Sequence, residues 1–218
     1  MFKSFFAVLF FVLIIFSNII LAQGNHPLQI NGGLIIPMSA SKGITASFQY
    51  NYSFNSNIQF YIYSGYSNWD KYNASFLEEA SAIQKRTHFS TYIADEHILI
   101  PLYIGSRINI HTNKLFTFFS TIEVGYSYLS YNTYSVIKQI DLSTGLVLDY
   151  ITNRSNKKKI NENLFGIGAG VGLSHPLSKN LNIIISFKLN SQINSSYYSF
   201  FSNQGTYTAF NLGFNFNI

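Results

Sequence analysis

From Leu28 onward, oily and polar residues alternate with a period of two, in eight separate stretches. Such alternation over four to eight residues or more is the signature of a strand with two unlike faces. The first stretch runs from Leu28 to about Ile36, with Leu28, Ile30, Leu34 and Ile36 facing one way and Gln29, Asn31 and Gly33 the other. The second and third lie between Lys42 and Trp69: Ile44, Ala46, Phe48, Tyr50 and Tyr52 oppose Thr45, Ser47, Gln49, Asn51 and Ser53. After "FNSN", Ile58, Phe60 and Ile62 oppose Gln59, Tyr61, Tyr63 and Gly65. The fourth covers His97 to Ile110, the fifth Phe116 to about Tyr131, and the sixth Phe165 to Leu173 with a row of glycines on its polar parity. The seventh, from Leu181, and the eighth, from Phe210 to Ile218, repeat the pattern with Ser, Asn and Gln between the apolar positions.

The links between these stretches come in two sizes. "FNSN" (54–57), "HTNK" (111–114) and "LSKN" (177–180) are tight and rich in Asn, a residue that tolerates left-handed backbone positions and caps its own turn. The other links, roughly 37–43, 70–96, 132–163 and 198–206, are longer. Tight four-residue turns exclude parallel crossovers, which need a dozen residues or more. The layout is therefore an up-and-down antiparallel meander with short turns and both termini at one end. No domain boundary interrupts it.

Charge decides which face meets water. Only 11% of the chain is charged, against roughly 25% in an ordinary soluble domain. Of 14 basic and nine acidic residues, only Arg107, Glu123 and Lys188 fall within the strand cores. A strand face turned to bulk water normally carries charges, for solubility and against edge pairing. Here that face holds Ser, Thr, Asn, Gln and Gly, which suit a small confined lumen. The oily face runs nine to eleven residues per strand, the length that crosses a bilayer when tilted. Tyr50, Tyr52 and Phe54 near one end and Tyr126, Tyr128 and Tyr131 near the other sit where interfacial aromatics are expected, and Trp69 marks a strand's exit from the membrane. The pattern predicts an all-β, eight-stranded antiparallel up-and-down transmembrane β-barrel, closed because lipid leaves no backbone edge unsatisfied.

The N-terminus carries a targeting pattern. Lys3 precedes an unbroken apolar run of twelve, Phe5–Phe16, and "SNIILAQ" places the small residue Ala22 before Gln23. The run is short for a helix span of roughly 20 residues. Residues 1–22 are expected to be a cleaved signal peptide and 23–218 a single barrel domain. Cysteine is absent, which removes disulfides, Cys-based metal sites and a lipoprotein anchor. The net charge of +5 is diffuse, with no basic stripe interleaved with stacking aromatics, so no nucleic-acid partner is expected.

The stretches "NGGLIIP", "ILIPLYIGSRI", "IEVGYSYL" and the closing "YTAFNLGFNFNI" resemble the small eight-stranded outer-membrane barrels of the OmpX and OmpA-transmembrane-domain kind. The resemblance covers essentially all of 24–218. It implies a monomer in the bacterial outer membrane, in contact with membrane lipid and delivered by the barrel insertion machinery. Family members commonly end in an aromatic residue; this chain ends in Ile218, after Phe214 and Phe216. Nothing follows the last strand, so no cell-wall-binding domain is expected. Eight strands leave room mainly for side chains. The expected function is accordingly that of a barrel with a filled polar lumen, acting through surface loops in adhesion, interaction or envelope integrity rather than as an open pore. The alternatives are a lipid-modifying outer-membrane enzyme, which the fold also hosts, and a soluble lipocalin-like binder.

Candidate chemistry is sparse, and no catalytic, cofactor or metal residue is assigned. Glu123 lies about nine residues up its strand from the short-turn end and Lys188 about eight, both roughly 20 Å along the barrel. They are expected to pair inside it, with Arg107 nearer the short-turn mouth. "GIGAGVG" (166–172) lacks phosphate-loop spacing and reads as an inward glycine row that makes room for Tyr61, Tyr63 and Phe119. "DEH" (95–97) reads as a solvated strand entrance or a cation site. "SHP" (174–176) raises the thought of an esterase, but at the wrong end of the barrel. "SFLEEASAIQK" (75–85) fits a short capped helix or a hairpin arm. "NRSNKKK" (153–159) reads as a basic loop tip of Arg154, Lys157, Lys158 and Lys159, either solvated or in contact with anionic glycolipid headgroups.

Overall fold

The computed structural model describes residues 27–38, 40–70, 92–113, 115–144, 147–194 and 206–216. The signal segment 1–22, the 75–85 element and Ile218 lie outside the described residues. Eight strands follow in order: β1 (Leu28–Pro37), β2 (Gly43–Ser53), β3 (Ile58–Trp69), β4 (Tyr92–Thr112), β5 (Thr117–Ile140), β6 (Val147–Ser178), β7 (Leu181–Gln192) and β8 (Tyr207–Phe216). Each pairs antiparallel with its sequence neighbours, and β1 closes on β8 from Leu28↔Phe216 to Pro37↔Tyr207. The result is the transmembrane barrel that the alternation predicts.

Side-chain parity is as the pattern requires. Ile30, Phe48, Phe60, Ile104, Ile122 and Phe187 stand on the outer wall, with Ile104 60% and Ile122 62% exposed. Gln29, Asn31, Gln49, Asn51, Asn190 and Asn211 are buried within. A water-soluble barrel would have the two sets the other way round. The lower edge of the apolar belt carries Tyr52 and the edge-to-face pair Phe54–Phe60 (6.0 Å between centroids). At the upper edge Tyr128 donates to Asn161 (2.9 Å) and Tyr126 to Asn163. Tyr131 and Trp69 depart from the interfacial role read from their positions. Both occupy the inward parity and are buried.

Two of the tight turns are built by asparagine side chains. Asn55 accepts from the amides of Asn57 and Ile58, and Asn113 from those of Leu115 and Phe116, each at 2.8 Å. The second turn therefore sits at 113–116, two residues later than the run "HTNK" implies. A register shift between Asn109 and His111 absorbs the difference.

The largest departure is the link expected at 132–163. β5 and β6 stay paired from Ser130↔Asn161 out to Ile140↔Val147, so most of that segment is a two-stranded arm beyond the belt. Its β-branched and aromatic residues favour extended backbone even without a uniform alternation. Its turn begins at Asp141, whose carboxylate accepts from the Ser143 amide (2.8 Å), the Ser143 hydroxyl (2.6 Å) and the Thr144 hydroxyl (2.9 Å). A second irregularity lies at the root of the arm. Asp95 pairs with Asn132 but Ile98 with Ser130, so Glu96 and His97 bulge opposite Tyr131, with Glu96 at φ 53.

Val124 is 53% exposed on the outer wall, midway along the apolar stripe of β5 that runs from Phe118 to Tyr128. Val124→Lys is expected to destabilise the barrel by about 2–4 kcal/mol, the cost of a lysine on the lipid face near the bilayer centre. Urea unfolding in phospholipid vesicles measures it, and an unchanged midpoint would contradict a lipid-facing wall.

Candidate functional site

Three groups of side chains occupy the inner wall, one above another. The middle group is a polar knot around Glu123 of β5. Its Oε2 accepts from Lys188 Nζ and from the Tyr61 hydroxyl, both at 2.7 Å, and its Oε1 accepts from Asn190 Nδ2 at 2.9 Å. Asn190 also donates to the Tyr207 hydroxyl (3.0 Å), and the Lys188 ammonium lies 4.5 Å from the centre of the Tyr63 ring. The side chains of Glu123 and Lys188 are 1% and 11% exposed. Attraction between full charges at this distance offsets the loss of hydration only because the remaining acceptor sites of the carboxylate are also filled.

The glycine row of β6 makes this packing possible. A Cβ at Gly168 would stand 2.4 Å from Asn190 Oδ1 and 2.7 Å from Glu123 Cγ. One at Gly172 would stand 2.4 Å from the Phe119 ring. Any larger residue at Gly168 would push the knot apart.

Above the knot lies an apolar cluster formed by Ile35, Leu99, Leu129, Leu164 and Ala209 with Trp69, Tyr131 and Tyr207, all buried. His97 is sandwiched here, stacked on Trp69 (5.0 Å, 8°) and on Tyr131 (5.1 Å, 19°). Alternation reading misses this cluster, yet the sequence carries a signal for it. At "LII" (34–36), "ILI" (98–100) and "LF" (164–165), both parities are apolar. A strand wet on its inner face has no reason for that.

Arg107 lies below the knot. It is 5% exposed, donates from Nε to Asn109 Oδ1 (3.3 Å), and lays its guanidinium 3.7 Å from the centre of the Phe119 ring. No carboxylate among the described residues pairs with it; the ion pairs there are Lys188–Glu123 and Lys157–Glu96. Glu123 and Lys188 are thus brought together, and Arg107 stands apart.

The other motifs separate in space. The bulge at 95–97 turns His97 inward, so the "DEH" run is not a solvated entrance at that residue. Glu96 instead accepts from Lys157 Nζ (3.0 Å), from Asn132, and from the Tyr134 hydroxyl (3.4 Å), linking β4 to the arm. Ser174 is buried while His175 is exposed on the other face of β6 and contacts the Leu115 carbonyl. Neighbours along a strand point to opposite faces, so this pair cannot act as nucleophile and base.

The basic run is not a loop tip. Tyr134 pairs with Lys157 but Ser135 with Asn153, so Arg154, Ser155 and Asn156 bulge out of β6 partway along the arm. Ser155 and Asn156 lie in this bulge, and the paired Asn153 borders it, its Oδ1 accepting from the Ser155 amide (3.1 Å). Lys158 and Lys159 are exposed, and Arg154 reaches to within 5.8 Å of the Tyr134 ring.

Solved structures share this fold at low sequence identity. Neisserial surface protein A (NspA) is 10% identical with a TM-score of 0.54, over 88% of this chain and 97% of that one. The attachment invasion locus protein Ail of Yersinia pestis is 12% identical with a TM-score of 0.51, over 89% and 99%. A major outer membrane protein from Thermus thermophilus is 12% identical with a TM-score of 0.54, over 88% and 99%. No family model and no curated protein matches the chain. The architecture is that of small eight-stranded outer-membrane barrels.

Two outcomes follow from the charged contacts. Lys188→Met leaves Glu123 buried without its cation and is expected to cost about 3–5 kcal/mol. Adding Glu123→Gln should recover most of that loss, and a double-mutant cycle by urea unfolding measures the coupling. The second concerns Glu96, beyond the membrane belt, whose carboxyl the hydrogen bond from Lys157 holds below the usual carboxylate range. Its contribution is complete above the ordinary Glu value of about 4.3 and is lost as pH falls through the lower, folded one. The protection of the amides at 131–134 and 157–160, their exchange relative to unstructured amides at the same pH, should therefore fall in acid, and Glu96→Gln should remove that fall.

Proposed function

We propose that this chain is an integral protein of a bacterial outer membrane that works through its outward arm rather than as an open pore. The observation that carries the reading is the β5–β6 arm, which holds Arg154, Lys157, Lys158 and Lys159 beyond the apolar belt. In this reading the short turns face the periplasm, and the long links and the arm face outward. The polar knot and the apolar cluster above it support a closed lumen, because inward side chains from most of the strands meet there. The fold shared with NspA and with Ail, an attachment invasion locus protein, supports a surface-interaction role. The barrel acts as a monomer delivered by the insertion machinery, and it carries no enzyme chemistry.

The arm's partner in this reading is an anionic glycolipid. Lys157 and Lys159 have the same parity as Asn161 and Asn163, which hold the tyrosines of the upper belt edge. A lysine near an anionic membrane surface contributes about 1 kcal/mol. Replacing Lys157, Lys158 and Lys159 with Ser should therefore weaken binding of labelled lipopolysaccharide to nanodisc-embedded protein by about a hundredfold at low salt. Equal binding by the triple variant would exclude the arm as the contact. In planar bilayers the wild type should give no steady conductance, and a sustained open channel would overturn the closed-lumen reading.

A further inference from the structure

The unpaired arginine lies against a cavity. At the short-turn mouth of the barrel a polar hollow of about 330 Å³ is bounded by Arg107, Gln59, Ser53, Thr117, Asn182 and Asn215, among others. Arg107 is the one charged side chain of that lining among the described residues. The other residues that line the hollow are amides, hydroxyls and prolines. Its guanidinium plane is covered on one face by Phe119, and its Nε is committed to Asn109. Its terminal nitrogens make no hydrogen bond to any described residue. Two further buried groups of the same hollow, Gln59 Oε1 and Asn215 Oδ1, also lack partners among the described residues.

A buried guanidinium without a carboxylate among the described residues, next to two amides whose oxygens lack donors there, is a poor way to fill a lumen that neutral side chains fill elsewhere. The acid that would neutralise it, Glu123, is already occupied by Lys188, Tyr61 and Asn190. A planar guanidinium with its face stacked and its edge open offers a fork of parallel N–H donors, which matches two oxygens of one anion. The amides can turn their NH₂ groups to the same ligand. Size restricts the class. At ~30 Å³ per water in the liquid, the hollow takes a small anion with several waters and excludes a polymer or a lipid with its chains.

We infer that the hollow at the short-turn mouth is a binding site for a small oxyanion, held by the fork of Arg107 with Gln59 and Asn215 beside it. This goes beyond the outward-arm reading and does not depend on it, because the site is at the opposite end. The inner knot and the arm take no part.

Inorganic phosphate is the probe. The chain has three arginines, Arg86, Arg107 and Arg154, so an Nε–Hε NMR spectrum of ¹⁵N-arginine-labelled barrel holds three side-chain signals, with Arg107 assigned through Arg107→Lys. In maltoside detergent, which contains no phosphate, the Arg107 signal should shift saturably with added phosphate and stay in place with chloride at matched ionic strength. Arg107→Lys keeps the charge but loses the fork, and it should bind at least tenfold more weakly by calorimetry while keeping the heat-modifiable gel shift of a folded barrel. Gln59→Ala should weaken binding several-fold. A phosphate response no larger than that to chloride, an Arg107→Lys variant that binds as tightly as wild type, or a shift seen only on adding phosphatidylglycerol would each overturn the assignment. If Arg107→Lys does not fold, Arg86→Lys and Arg154→Lys assign the remaining signal to Arg107, and the wild-type titration decides.

Discussion

The governing constraint is that a backbone crossing lipid must satisfy every N–H and C=O within itself. β1 pairs with β8 over its whole length for that reason, and no strand edge is left at membrane depth. Closure then divides each strand into an outer and an inner parity. The outer parity meets acyl chains and is mostly Ile, Leu, Phe and Val. The inner parity faces an enclosed interior, so polar residues there must find partners across a narrow space.

Filling that narrow space sets the chemistry of the interior. A carboxylate can be buried at Glu123 because Lys188, Tyr61 and Asn190 converge on it. They converge because Gly168 keeps the facing wall bare. Higher up, the same requirement is met without polarity. Trp69, His97 and Tyr131 stack, and Leu99, Leu129 and Leu164 close around them. Below, it is met incompletely, since Arg107 has an aromatic face and one amide but no counter-charge among the described residues. Among the described residues the interior thus grades from apolar through neutralised charge to a cation without a carboxylate partner.

Outside the bilayer the constraint relaxes, and the strands behave differently. β5 and β6 run on together past the belt, where either face may be wet and alternation has no reason to persist. Two irregularities shape this region: the bulge at Glu96 and His97 of β4, and the three-residue bulge at 154–156 of β6. A bulge re-aims side chains and tightens local twist. The first sends His97 into the interior stack and Glu96 out to the arm; the second presents Arg154 on the arm's flank. Contacts from Lys157, Asn132 and Tyr134 to Glu96 tie the two regions together.

Strand number, strand parity, barrel closure and the outward direction of the oily face were determined by the sequence itself, because bilayer thickness and the two-residue repeat act at every position. The closeness of Glu123 and Lys188 in height was also legible from residue counts along two strands. The identity of Glu123's other partners was not, since Tyr61 and Asn190 meet it across the lumen from strands distant in sequence. Nor was the interior position of Trp69 and Tyr131. Aromatic type points to the interface, and only parity within the closed barrel turns these rings inward. The arm was hidden because strands in water on both faces carry no periodic signal, and the "NRSN" turn residues serve equally well in a bulge. The isolation of Arg107 was decided by tertiary structure alone. A sequence records that a charge exists, whereas its compensation depends on which side chains reach it in three dimensions.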